Sequence, residues 1–274
     1  MRGSSIFHGP HKLILLLAFF APIFAAEPTL TLKQGEVLRI PSDGATAEFL
    51  GNKFPIFDKL ALVPAAVTQQ PGTYPLVIRD RSGKVLQETK ITVLDGEYPR
   101  QNIRATKQMQ SLTPMPGERE AVDALKRAES PKRYWSELFQ PPTADCRNSP
   151  FGVKRFHNGV FSGRFHGGVD LRSPQGRPVY AAAGGIVRIS NMFRLHGGTI
   201  GIDHGQGVTS LYLHLSKVVA PIGSVVKTGD LVGYVGSTGF ATGPHLHWAL
   251  NVHGVAVQPE QWTGPLKRCV ASPN

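Results

Sequence analysis

Twenty-one of the 30 glycines and eight of the ten histidines lie between residues 151 and 265. A stretch broken so often by glycine cannot support long helices, because each interior glycine costs a helix about 1 kcal/mol relative to alanine. No 3.6-residue apolar period competes there. Short apolar runs take its place, at residues 179–190, 199–203, 208–215, 225–235 and 245–257. Turn-forming residues bound them, which is how strands read. The expectation is an antiparallel all-β unit from about residue 146 to 274.

The preceding part is also β, but chemically bare. Between residues 27 and 150 there is no histidine. Residues 29–33, 36–40, 46–50, 73–79 and 85–93 alternate as strands do, with turn signals between them. Residues 27–97 are therefore expected to form a small, immunoglobulin-like β-sandwich that spaces or docks the second unit. Residues 98–145 read as a linker carrying one exposed helix over 118–129, bracketed by Pro116 and Pro131. Trp135, Leu138 and Phe139 are expected to pack it down. The fold class is all-β, with one short linker helix between sandwich and Gly-rich unit.

Residues 1–26 stand apart. Arg2 and Lys12 precede an apolar run from Leu13 to Ala26, which is the layout of a secretory signal peptide. The run is shorter than the roughly 20 apolar residues a membrane span needs. An exported, periplasmic or cell-envelope protein is expected. Charge is uneven: residues 27–150 hold 17 basic and 15 acidic side chains, residues 151–274 hold 11 and 4. The C-terminal part thus carries a balance of +7 and would attract a polyanion. Outside the cytoplasm this means cell-wall polymers and lipid headgroups more than nucleic acid.

Three sites carry chemistry: His166-Gly-Gly-Val-Asp170, His214 within Tyr-Leu-His-Leu, and His245-Leu-His247. In straight β the Cα atoms of His166 and Asp170 would lie about 13 Å apart. One metal could not bridge them, so Gly167 and Gly168 must permit a bend. His245 and His247, two apart on a strand, face one side. Two histidines and an aspartate leave a fourth position open on zinc, as catalytic sites require. Asp203, Asp230 and Glu260 are the other acids in residues 151–274, and none is an obvious base. That work falls to His214 and to whichever of His245 and His247 does not bind metal.

Taken together and in order, these motifs resemble the LytM/lysostaphin-type zinc endopeptidases, peptidase family M23. The resemblance runs from Phe151-Gly-Val-Lys-Arg to Val257-Gln-Pro. It includes Ser-Leu-Tyr-Leu-His214-Leu-Ser, Thr-Gly-Pro-His245-Leu-His247-Trp, and Gly229-Asp-Leu-Val-Gly-Tyr-Val-Gly. It implies an enzyme that cuts the peptide cross-bridges of peptidoglycan. It implies that His166, Asp170 and His247 bind Zn²⁺, and that His214 and His245 are catalytic. Degenerate members of the superfamily lack ligands and only activate other hydrolases. Here all five positions are filled, although Ala249 stands where an acidic residue is common. The competing function is a non-catalytic wall-binding or hydrolase-activating protein that retains its metal.

Cys146 and Cys269 flank the histidine-rich unit. Export favours a disulfide between them, and the ends of a compact unit are often close. A Cys146 thiolate capping the zinc, or two unpaired thiols, are the alternatives. His204 and His253 sit beside glycines and read as structural residues at turns. His157 and His196 are expected on loops at the edge of a groove.

Overall fold

The computed structural model describes residues 30–136 and 138–270; the expected signal peptide lies outside them. Among the described residues, no helix is long and apolar enough to cross a membrane. The first part is a five-stranded sheet facing a two-stranded one. In the larger sheet the order is Leu30–Lys33, Val85–Leu94, Gly72–Arg79, Thr46–Phe49, Asn52–Pro55. Its pairs are antiparallel except the first, which is parallel. Val37–Pro41 pairs antiparallel with Leu60–Pro64 to make the smaller sheet. Leu32, Phe49, Leu76, Ile78 and Ile91 meet Ala61 and Val63 between the layers.

Leu60–Pro64 explains its own sequence. Ala61 and Val63 point into the sandwich, while Leu62, with Val37, belongs to the core of the C-terminal unit. A strand buried on both faces needs a continuous apolar run and shows no alternation, so it does not announce itself in the sequence. The two parts are locked further along this wall. Val37 N–H donates to Gln261 Oε1, and Gln261 Nε2 donates back to Val37 O, at 2.9 and 2.8 Å. The Arg39 guanidinium lies 4.4 Å from the centre of the Trp262 ring.

The C-terminal unit is a ten-stranded sheet in which all pairs are antiparallel. Its main order is Val225–Val226, Gly185–Met192, Gly198–Gly205, Val208–Val218, Leu246–Val252, Val169–Leu171, Arg147–Ser149. The run expected over 179–190 is two strands, Pro178–Tyr180 and Gly185–Met192. Ala181–Gly184 separates them. One face of the sheet packs Tyr212, Leu215, Trp248, Leu250 and Val252 into the main core. The other face presents Leu211, Leu213 and Ala249 to a helix.

That helix, Glu118–Lys126, comes from the segment expected to be a linker, and it buries Val122 and Leu125. Gly201 makes the approach possible: a Cβ there would stand 2.5 Å from Leu125 Cδ2. The segment holds more than the single helix expected. It also contributes the short helix Lys107–Gln110 and the strand Arg100–Ile103, which pairs parallel with Lys154–His157. Trp135 and Phe139 are buried as expected, whereas Leu138 is 69% exposed and anchors nothing. Cys146 and Cys269 are joined in a disulfide with Cα atoms 4.9 Å apart. This overturns the zinc-capping thiolate and the unpaired thiols.

Candidate active site

The strand register brings the site together. Asp170, on Val169–Leu171, sits directly opposite His247 on Leu246–Val252, and Leu213 flanks His247 from the other side. The bend between His166 and Asp170 falls at Gly168, but no left-handed backbone is involved. What Gly168 provides is proximity: a Cβ there would lie 2.4 Å from the Trp248 carbonyl oxygen. The chain therefore passes hard against its neighbour and carries His166 back over Asp170.

His166 Nε2, Asp170 Oδ1 and His247 Nδ1 form a triangle with sides of 2.9, 2.9 and 3.0 Å. A tetrahedral ion with bonds of about 2.0–2.1 Å holds its donors about 3.3 Å apart. The donor set, two imidazole nitrogens and one carboxylate oxygen, thus fits a first-row divalent ion with small outward shifts. His166 is preset for this. Its Nδ1–H donates to the Pro150 carbonyl at 2.7 Å, which turns the Nε2 lone pair inward.

His214 reaches the cluster through a backbone distortion. Tyr212 and Leu215 both face the main core, so regular alternation cannot hold between them. His214 takes up the difference with φ of +65°, and the register with Gly198–Gly205 shifts there. A non-glycine residue in left-handed conformation costs of order 1–3 kcal/mol and is characteristic of functional sites. The result is an imidazole with ring centres 4.8 Å from His245 and 6.0 Å from His247. His214 Nδ1–H donates to the Thr238 carbonyl at 2.9 Å, leaving Nε2 as acceptor. Burial, then the neighbouring His245 and His247, push its pKa down to about 3. His245 donates from Nδ1 to the Gly243 carbonyl, and its Nε2 lies 3.8 Å from Asp170 Oδ1.

Burial would raise the Asp170 carboxyl, but His166 and His247 hold it well below its ordinary value. Two further residues serve this cluster, and neither was legible in the sequence. Arg155 Nη2 donates to Asp170 Oδ2 at 2.9 Å, so one carboxylate oxygen is occupied and Oδ1 alone faces the histidines. Glu118 is fully buried at the start of its helix. It accepts from the backbone N–H groups of Arg194, Leu195 and His196 and from His196 Nδ1 at 2.6 Å. The His196 carbonyl in turn accepts the His214 N–H at 3.1 Å. Against burial, these bonds keep the Glu118 carboxyl below its usual range.

The remaining histidines divide. His196 is on a loop as expected, bound to Glu118. His157 ends a strand and stacks on Phe240 at 5.2 Å. His204 is not at a turn but on Gly198–Gly205, fully buried, bonding the Gly184 carbonyl and Ser210 Oγ at 2.7 Å each. His253 does sit at a turn, stacked on Phe54.

The sequence profile of peptidase family M23 matches residues 164–259, which contain all five converging side chains. The C-terminal part of this chain is an M23 peptidase domain. Over 112 residues it is 41% identical to the DD-carboxypeptidase/endopeptidase Mpg of Neisseria meningitidis, an alignment covering 41% of this chain and 26% of that one. It is 35% identical, over the same shares, to the peptidoglycan DD-endopeptidase ShyC of Vibrio cholerae. The chain thus spans about a quarter of the length of these curated relatives. A crystal structure from Pseudomonas aeruginosa assigned to peptidase M23 superposes with a TM-score of 0.66 at 26% identity, covering 84% of this chain and 94% of that one. That likeness extends beyond the M23 domain into the sandwich that precedes it.

Proposed function

We propose that this chain is an exported, zinc-dependent endopeptidase that hydrolyses the peptide cross-links of peptidoglycan. The observation that carries the reading is the convergence onto one point of Asp170, His214 and His247 from three strands with His166 and His245 from the segments just before two of them. His166, Asp170 and His247 are the proposed zinc ligands. When bound, zinc supplies Lewis acidity at the open position. His214, held neutral by burial, offers Nε2 as a proton acceptor beside it. With Nδ1 held on the Gly243 carbonyl, His245 turns Nε2 toward the cluster, 3.8 Å from Asp170 Oδ1. It is thereby suited to steady an oxyanion and to return a proton to the leaving amine. Residues 1–26 and the disulfide support export, since disulfides persist in oxidising compartments. The DD-endopeptidase names of the relatives support the substrate.

The test is digestion of purified sacculi by the zinc-loaded chain, with products read by mass. Released peptides with unaltered glycan chains, lost on chelation and restored by zinc, are expected. A chain that holds one zinc per molecule yet releases nothing would instead be the wall-binding or activating protein.

A further inference from the structure

A cavity of about 460 Å³ opens beside the histidine cluster, and its walls come from two different parts of the chain. One wall is Arg104 to Leu112, from the segment before the M23 domain. The other is Ser237 to Thr242, with Arg194. The second wall is the loop whose Thr238 carbonyl orients His214, and Thr242 lies three residues before His245. The cavity and the histidine cluster therefore share the wall formed by residues 237–242.

Two exposed arginines line it, and no acid does. Five other arginines of this chain find carboxylates: Arg79 with Glu48, Arg147 with Glu260, Arg155 with Asp170, Arg177 with Asp145 and Arg188 with Asp203. Among the described residues, neither Arg104 nor Arg194 makes a side-chain hydrogen bond or ion pair. Both nevertheless rise from pinned backbone. The Asn158 amide bonds both the N–H and the carbonyl of Ala105, at 3.1 and 2.9 Å. Buried Glu118 accepts the Arg194 N–H at 3.2 Å. Met109, Leu112 and Ala241 make the rest of the lining partly apolar.

We propose that this cavity is a specificity subsite for a substrate residue whose aliphatic side chain ends in a carboxylate. The aliphatic part lies on Met109 and Leu112, and the guanidinium forks of Arg104 and Arg194 take the carboxylate. The proposal deepens the peptidoglycan reading and rests on it for the identity of the peptide. It also assigns a task to the segment before the M23 domain, which forms half of the subsite.

The test separates binding from cleavage. The full chain, stripped of metal by chelation so that it cannot turn over, is titrated into two probes by fluorescence anisotropy. One is a fluorescein-labelled synthetic stem peptide with free carboxylates; the other is the same peptide with every carboxylate converted to carboxamide. The carboxylate form should bind about tenfold or more tightly, with a preference that shrinks as salt is raised. Arg104→Gln and Arg194→Gln should each lower that preference, and the double variant should abolish it while leaving affinity for the amidated probe unchanged. Arg194→Lys should restore part of it. Equal binding of the two probes by the native chain, or a preference that survives the double substitution, overturns the subsite. If the preference is present and arginine-dependent but the zinc-loaded chain cleaves neither peptide, the subsite stands and the hydrolase reading falls. Preference for a phosphate-bearing wall polymer over the carboxylate peptide would also overturn the assignment.

Discussion

Among the described residues, no polar or charged side chain is buried in the sandwich of residues 30–97, whereas 14 are buried between Glu118 and Asn251. Both regions are β-structures with dense apolar cores, so fold class does not explain the difference. Burying a polar group without a partner costs about 1–3 kcal/mol, and the sandwich avoids that cost altogether. The C-terminal unit accepts buried polarity and satisfies most of it with specific partners: Pro150 for His166, Thr238 for His214, Arg155 for Asp170, five donors for Glu118. Buried polarity is concentrated in the region that carries the histidine cluster. The sandwich lacks it altogether among the described residues.

The sharpest way to break this contrast is at the cluster itself. Asp170→Ala should release zinc on dialysis and reduce sacculus hydrolysis below detection. His214→Ala should keep its zinc yet lose about 10²–10⁴-fold in turnover. Stoichiometric zinc in the first variant, by metal analysis, or near-native hydrolysis by the second, would remove the assigned roles.

A smaller effect is expected from buried polarity away from the metal. Burial lowers the pKa of His204 from 6.5 to about 4. The folded chain therefore refuses a proton that the unfolded chain accepts below pH 6.5. This contribution to stability is complete above that pH and is lost as pH falls toward 4, by about 3 kcal/mol at most. Urea denaturation at pH 7 and pH 4.5 should show the loss, and His204→Gln should reduce it. An unchanged pH slope in the variant would count against His204 as the source.

The smallest change should come from the sandwich. Ile78, fully buried there, should cost about 0.5–1.5 kcal/mol when replaced by valine, with kcat unaltered. A fall in kcat would mean that the sandwich transmits strain to the site, and the contrast would need redrawing.

What the sequence disclosed follows the same division. The cluster was legible because His, Asp and His at those spacings are chemically unusual, and the strand period fixed which of them share a face. The β class was legible from glycine and alternation. Leu60–Pro64 was not, since burial on both faces erases the alternation on which strand reading depends. Asn52–Pro55 was missed because its first residue reads as part of a turn. Leu138 looked like an anchor because hydrophobicity says nothing of which side of an irregular segment faces in. Glu118 and Arg155 were invisible for a further reason. A glutamate at a helix start and an arginine in a basic run are unremarkable until their partners, up to 78 residues away, are known. His204 was misread as a turn residue because its neighbour Gly205 signals one, while its own side chain is held inside the sheet.

The disulfide has a mechanical meaning. Cys146 and Cys269 are 123 residues apart in sequence, but their Cα atoms are separated by only 4.9 Å. Tension applied between Leu30 and Val270 would run through the sandwich, cross the sulfur–sulfur bond and leave by the last residue. The covalent load path would bypass the enclosed sheet and its histidines. Of the chain's stretchable length, about 400 Å would stay coiled behind the bond at about 3.3 Å per residue. A chain pulled at both ends would thus keep its histidine-bearing strands in register.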